Sequence, residues 1–162
     1  MTGQNIEKDG LLDPRFLEKS YQEAMALTQA VASYLEVENR QVRNYSLNLG
    51  TEVYYASESM RVSTCLMQVM SWFLVQKGVA AGEITRKQAG ALKFRLGARD
   101  ICLADVDTSK GDLPEQLVTF LHKAQALYRQ VARMDRMVYG DHGETNPVHE
   151  LFSRIRNKDI SE

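Results

Sequence analysis

VYYASESMRVSTCLMQVMSWFLVQK, residues 53–77, is the stretch on which the reading of the chain turns. Its apolar residues step by threes and fours along two adjacent helical seams, Ala56, Met60, Met67, Met70 and Leu74 on one and Val62, Leu66, Val69 and Phe73 on the other. A helix apolar over so much of its circumference needs more than one neighbour, which predicts the central helix of a bundle with both seams covered. A polar strip through Glu58, Arg61 and Gln68 remains, interrupted by Cys65 and Trp72. The 14 residues from Val62 to Val75 have only Ser, Thr and Gln as polar members. A bilayer span needs about 20 apolar residues, and Glu58 and Arg61 close one end, so the stretch reads as a core helix and not a membrane span.

Working outward toward the N-terminus, residues 1–12 are polar and are expected to be flexible. Asp13-Pro14 supplies an N-cap acceptor followed by proline at the first helical position, where a missing N–H is no loss. Leu17, Tyr21, Ala24, Thr28, Val31 and Leu35 then form the stripe of a first helix ending near Asn39. Arg40 to Gly50, RQVRNYSLNLG, lacks a period and reads as a connection, with Leu47 and Leu49 tucked against the bundle. Thr51 is the expected cap of the central helix, and Gly78 or Gly82 its end.

Toward the C-terminus, Thr85 and Gln88 have capping-box spacing and Gly97 stands where a left-handed cap would fall, predicting a short helix from Arg86 to Leu96. Arg86, Lys87, Lys93, Arg95 and Arg99 are five basic residues with no acid between them. This segment is either a solvated face, a dock for an acidic partner or a nucleic-acid contact. Asp112 and Glu115 repeat the capping-box spacing, and Leu113, Leu117, Phe120, Ala124, Leu127, Val131, Met134 and Val138 keep a four-three alternation up to Gly140. After Asp141 the period stops. Residues 141–162 are expected to be disordered alone, with Val148, Leu151, Phe152 and Ile155 spaced as anchors for a partner.

At 162 residues, 44% hydrophobic and 25% charged, the chain suits one globular domain, spanning 13–140. A net charge of −1 offers no general attraction to nucleic acid or anionic lipid. The first residues lack a signal-peptide core, which makes a cytoplasmic location the default. Cys65 and Cys102 read as two buried reduced thiols, since neither has a second Cys or His at metal spacing. No phosphate-cradling glycine loop, nucleophile elbow, HExxH helix or paired CxxC is present, and no Glu-x-x-His pair falls on a predicted helix. His122 reads as a structural or solvated histidine, and no metal or other cofactor is expected. Tyr54, Tyr55 and Trp72, large aromatics bordering a polar strip, are the candidate protein interface, and the exposed side of the central helix is the first choice for facing a second copy.

The run YASESMRVSTCLMQVMSWFLVQKGVAAGEI, continued by RLGARDICLA, resembles the alphaproteobacterial family named for the regulator of CtrA degradation, RcdA. The resemblance is firm over the central half of the chain and looser over the flanking helices. It implies a small, helical, dimeric, cytoplasmic adaptor, not an enzyme, that helps deliver substrates to the ClpXP protease during the cell cycle, with cargo and accessory proteins as partners. The expected fold is all-α, an antiparallel bundle of three long helices with a short extra helix in the second connection. The competing reading from another class is a DNA-associated regulator using residues 86–99, with a metal or redox enzyme behind it.

Overall fold

The structure, a computed structural model, describes residues 12–42 and 49–140 and is an all-α bundle. Three long helices, α1 (Pro14–Val42), α2 (Leu49–Ala80) and α5 (Glu115–Tyr139), carry two single-turn helices between the second and third, α3 (Arg86–Ala89) and α4 (Arg99–Cys102). Asp13 caps α1 as its sequence suggests, its Oδ1 accepting from the backbone N–H of Arg15 at 2.8 Å and of Phe16 at 3.0 Å. The helix runs three residues past the expected end. α2 begins earlier than its expected cap, so Thr51 lies inside it, and Leu49 is 74% exposed instead of tucked. Gly78 does not end α2: it gives room for Ile84, whose Cδ1 would lie 3.1 Å from a Cβ there as the chain folds back, and Gly82, at φ +75°, makes the turn.

Glu18 of α1 accepts from Lys77 of α2 at 2.8 Å, and Tyr21 stacks edge-on against Phe73, so these two helices run antiparallel. In contrast, Trp72 pairs with Asp135 and Gln76 with Tyr139, so α5 runs parallel to α2. The expected antiparallel arrangement therefore holds for α1 against its two neighbours but not for α2 against α5. The cause is the connection, residues 81–114, which itself travels back down the bundle: Gly97 bonds Gln68, Ala104 bonds Arg61, and Gly111 lies beside Tyr54. Each seven residues forward along the connection fall seven residues backward along α2.

This return path changes what α2 buries. Val62, Val69 and Phe73 are fully buried and Leu66 nearly so, as expected for one seam. The other seam is open: Met60 is 72%, Met67 71% and Leu74 55% exposed, and Ala56 is exposed too, with only Met70 half-buried. The polar strip is what lies inside instead, since Glu58, Arg61 and Cys65 face the connection. Along α5 the expected heptad is buried at Leu117, Phe120, Ala124, Val131, Met134 and Val138. Leu12, placed by sequence in a flexible end, is 6% exposed and belongs to the core. Residues 1–11, 43–48 and 141–162, including Leu47 and the anchors Val148, Leu151, Phe152 and Ile155, lie outside the described residues.

Two outcomes follow from this packing. Phe73→Ala should cost about 3–5 kcal/mol, whereas Met67→Ala and Leu74→Ala should each cost under about 0.5 kcal/mol in the monomer, measured by urea denaturation at high dilution. Burial also pushes the Tyr34 hydroxyl up to about 12, with the charge of Glu38 adding to it, and raises Tyr54, Tyr55, Tyr128 and Tyr139, again chiefly through burial. An unfolded tyrosine ionises near pH 10, so above that the folded chain holds more protons than the unfolded one, and stability falls with rising pH. These tyrosines should leave the melting temperature unchanged at neutral pH and make it drop steeply from about pH 10 to 12, with a shallower drop in Tyr34→Phe.

Candidate interaction surface

Val53, Met60, Met67 and Leu74 are spaced seven residues apart and are 62%, 72%, 71% and 55% exposed, forming one line down the outside of α2. Seven residues are close to two helical turns, so the line stays on one face. The residues flanking it, Ala56, Ser57, Ser63, Thr64 and Ser71, are small and uncharged. The Ser63 and Thr64 hydroxyls are turned inward, donating to the carbonyls of Ser59 and Met60 at 2.9 Å each. What faces outward from Val53 to Leu74 is thus a stripe without a charge, its polar groups largely satisfied within the helix.

Tyr54, Tyr55 and Trp72, the aromatic candidates for an interface, lie inside the protomer at 6%, 6% and 1% exposure. Trp72 turns inward because its Nε1–H donates to Asp135 Oδ1 at 2.8 Å, and Tyr54 and Tyr55 because the connection and α1 close over the start of α2. These three residues present no face to a second copy. The apolar line beside them does.

The basic segment is not one helix. Thr85 and Gln88 form the expected capping box, but α3 stops at Gly90, where a Cβ would meet Tyr139 Cδ1 at 3.2 Å. A 3-10 turn at Leu92–Phe94 follows, and the left-handed residue before α4 is Ala98, at φ 57°, in place of Gly97. Arg95 is a structural residue: its guanidinium bonds both oxygens of Asp135 at 2.9 and 3.0 Å and the Gly140 carbonyl at 2.8 Å, with 7% of its side chain exposed. Arg86 donates to the Val138 carbonyl at 2.6 Å. Two of the five cations therefore hold the C-terminal end of α5, where a helix leaves unpaired carbonyls and partial negative charge. Lys87, Lys93 and Arg99 are exposed, Lys93 lying over the ring of Phe94, and Lys87 lines a shallow groove with Arg86, Gly90, Ala91, Val138 and Tyr139.

Among the described residues, no group of three His, Cys, Asp or Glu side chains could hold a metal, and no helix is long and apolar enough to cross a membrane. His122 is exposed on α5. Sequence reading also missed the buried Glu58–Arg61 pair, whose guanidinium further donates to the Ala104 carbonyl at 2.5 Å alongside Gln125 at 2.6 Å. The i, i+3 spacing of Glu58 and Arg61 was visible; their burial was not.

Removing one member of the buried Asp135–Arg95 pair leaves an uncompensated charge, so Arg95→Ala should cost about 3–5 kcal/mol. Lys93→Ala, at an exposed site, should change stability by under about 0.5 kcal/mol. Chemical denaturation of both variants checks this, and equal losses would show that the segment acts as a single charged face.

The family described as "Protein of unknown function (DUF1465)" matches residues 9–158. Among solved structures the chain is similar to the crystal structure of RcdA from Caulobacter crescentus CB15, with 32% identity and a TM-score of 0.60 over 78% of this chain and 92% of that one. Comparison with curated proteins finds no match.

Proposed function

This chain belongs to the RcdA family, DUF1465, and on that premise we propose that it is a non-enzymatic cytoplasmic adaptor that delivers regulated substrates, with accessory proteins, to the ClpXP protease. The observation that carries the reading is the uncharged stripe on α2. The opposite side of that helix is packed, yet Val53, Met60, Met67 and Leu74, at heptad spacing, are each more than half exposed. Such a line is suited to another helix.

The occupant we assign to the stripe is a second copy of the chain. The stripe is nearly palindromic: a two-fold axis between Ser63 and Thr64, with the two helices antiparallel, sets Met60 against the partner's Met67 and Val53 against the partner's Leu74. Small Ser63 and Thr64 at the axis let the backbones approach closely. Such an isologous arrangement is the commonest for small soluble oligomers. Cargo and accessory factors are then left the connection side, with exposed Lys87, Lys93 and Arg99, and residues 141–162, whose anchors Val148, Leu151, Phe152 and Ile155 suit capture of a partner groove. Use of residues 86–99 as a DNA recognition helix is disfavoured by the break at Gly90 and by the engagement of Arg86 and Arg95 with α5.

Met60→Glu with Met67→Glu should convert a dimer to a monomer in light scattering at micromolar concentration while leaving helicity unchanged. A monomeric wild-type protein would remove the dimer assignment. In a degradation time course with reconstituted ClpXP and accessory factors, truncation after Gly140 and charge reversal at Lys87 and Lys93 should each slow cargo turnover, the second in a salt-dependent way. Identical turnover in all reactions, including one without the protein, would sink the adaptor reading.

A further inference from the structure

The groove at the end of α5 encloses about 500 Å³, within the ~300–1,000 Å³ of clefts that hold ligands. Arg86 and Lys87 of α3 give it two cations, Val138 and Tyr139 an apolar wall, and Gly90 and Ala91, with almost no side chain, leave its middle open. The wall is fixed in place. The Tyr139 hydroxyl donates to Gln76 Oε1 at 2.8 Å, the Arg95 guanidinium lies 5.1 Å from its ring centre, and Arg86 ties α3 to the Val138 carbonyl. We propose that this groove is the docking site of the chain's own residues 141–152, which cover it with their acids and with Val148, Leu151 and Phe152.

Three observations select this occupant. The first is position: the described chain ends at Gly140, the next residue after the groove wall. Gly140 donates its N–H to the Arg136 carbonyl and accepts from Arg95, each at 2.8 Å, which holds residue 141 to begin at the groove's edge. The second is charge. Residues 141–152 carry Asp141, Glu144 and Glu150 and no Lys or Arg, whereas Arg154, Arg156 and Lys158 all follow later, so the half of the segment nearest the groove is the half that complements its cations. The third is length. From Gly140 to Val148 the chain can span up to about 26–29 Å, and Gly143 and Pro147 are turn formers that suit a return to α3.

Tethering adds to the fit. A segment joined this closely to its site is presented at about millimolar effective concentration, an advantage no free peptide of equal affinity has. The contact lies within one chain and holds whether or not the chain serves ClpXP. Where it does serve as an adaptor, a partner that takes up Val148, Leu151 and Phe152 also uncovers Arg86 and Lys87, and by linkage an acidic ligand of the groove releases the apolar anchors.

The test uses the full-length chain with Ser153→Cys carrying a nitroxide. Cys65 and Cys102 are 1% and 0% exposed, so under native conditions the added thiol takes the label. In low salt the amide signals of Gly90 and Ala91 should be lost to paramagnetic broadening and return when ascorbate reduces the label. Lys87→Glu, or Glu144→Gln with Glu150→Gln, each checked for unchanged helicity, should restore much of both signals, as should about 1 M salt, where screening sets in beyond about 3 Å. A mixture of isotope-labelled chains without nitroxide and unlabelled chains with it should show no broadening at these sites. Sharp Gly90 and Ala91 signals in low salt, broadening equal in Lys87→Glu, or broadening in the mixture as strong as within one chain, which would mean a second copy supplies the segment, would each overturn the proposal.

Discussion

Asp135 puts a carboxylate where almost no water reaches it, at 1% exposure, and the way that charge is satisfied organises the molecule. Trp72 donates to it from α2, and the Arg95 Nε–H, from the connection, is shared between its two oxygens. A single buried group on α5 therefore specifies both the rotation of α2 and the position of the returning chain. Because an unpaired buried charge costs several kcal/mol, arrangements that break the triad are excluded more sharply than a purely apolar core would exclude them. Arg95 also donates from Nη2 to the Gly140 carbonyl and stacks over Tyr139, closing the end of α5.

A second anchor repeats the device further back along α2, at Arg61. Arg61 pairs with Glu58 and holds the Ala104 carbonyl together with Gln125. Between the two anchors, Tyr128 donates to the Gly97 carbonyl at 2.6 Å and Gln68 accepts from the Gly97 N–H at 3.1 Å. Irregular backbone lying on a bundle needs partners for its peptide groups, and these side chains supply them. The connection is in effect a fourth layer, and by covering one side of α2 it leaves the opposite side, with its methionines, at the surface.

That exchange explains which parts of the interaction surface were legible. The heptad residues Met60, Met67 and Leu74 were visible as a seam, but their exposure was not, because periodicity reports the angle of an apolar arc and not what lies against it. Tyr54, Tyr55 and Trp72 border polar residues in the sequence and so suggest a surface; Glu58 and Arg61 neutralise each other inside, so the polar strip is an interior strip. Arg95 was counted among docking cations for the same reason, since its partner Asp135 is 40 residues away.

The three long helices and several of their ends follow from local chemistry alone: the Asp13 cap, the Thr85–Gln88 box that opens α3 and the stop at Gly140 are interactions within a few residues of each other. The two apolar arcs of α2 were equally plain. Which arc is buried and whether α5 runs with or against α2 were decided only in three dimensions. Each depends on where residues 81–114 lie, and that path is set by hydrogen bonds and ion pairs between residues 21 to 63 positions apart, which leave no period in the chain.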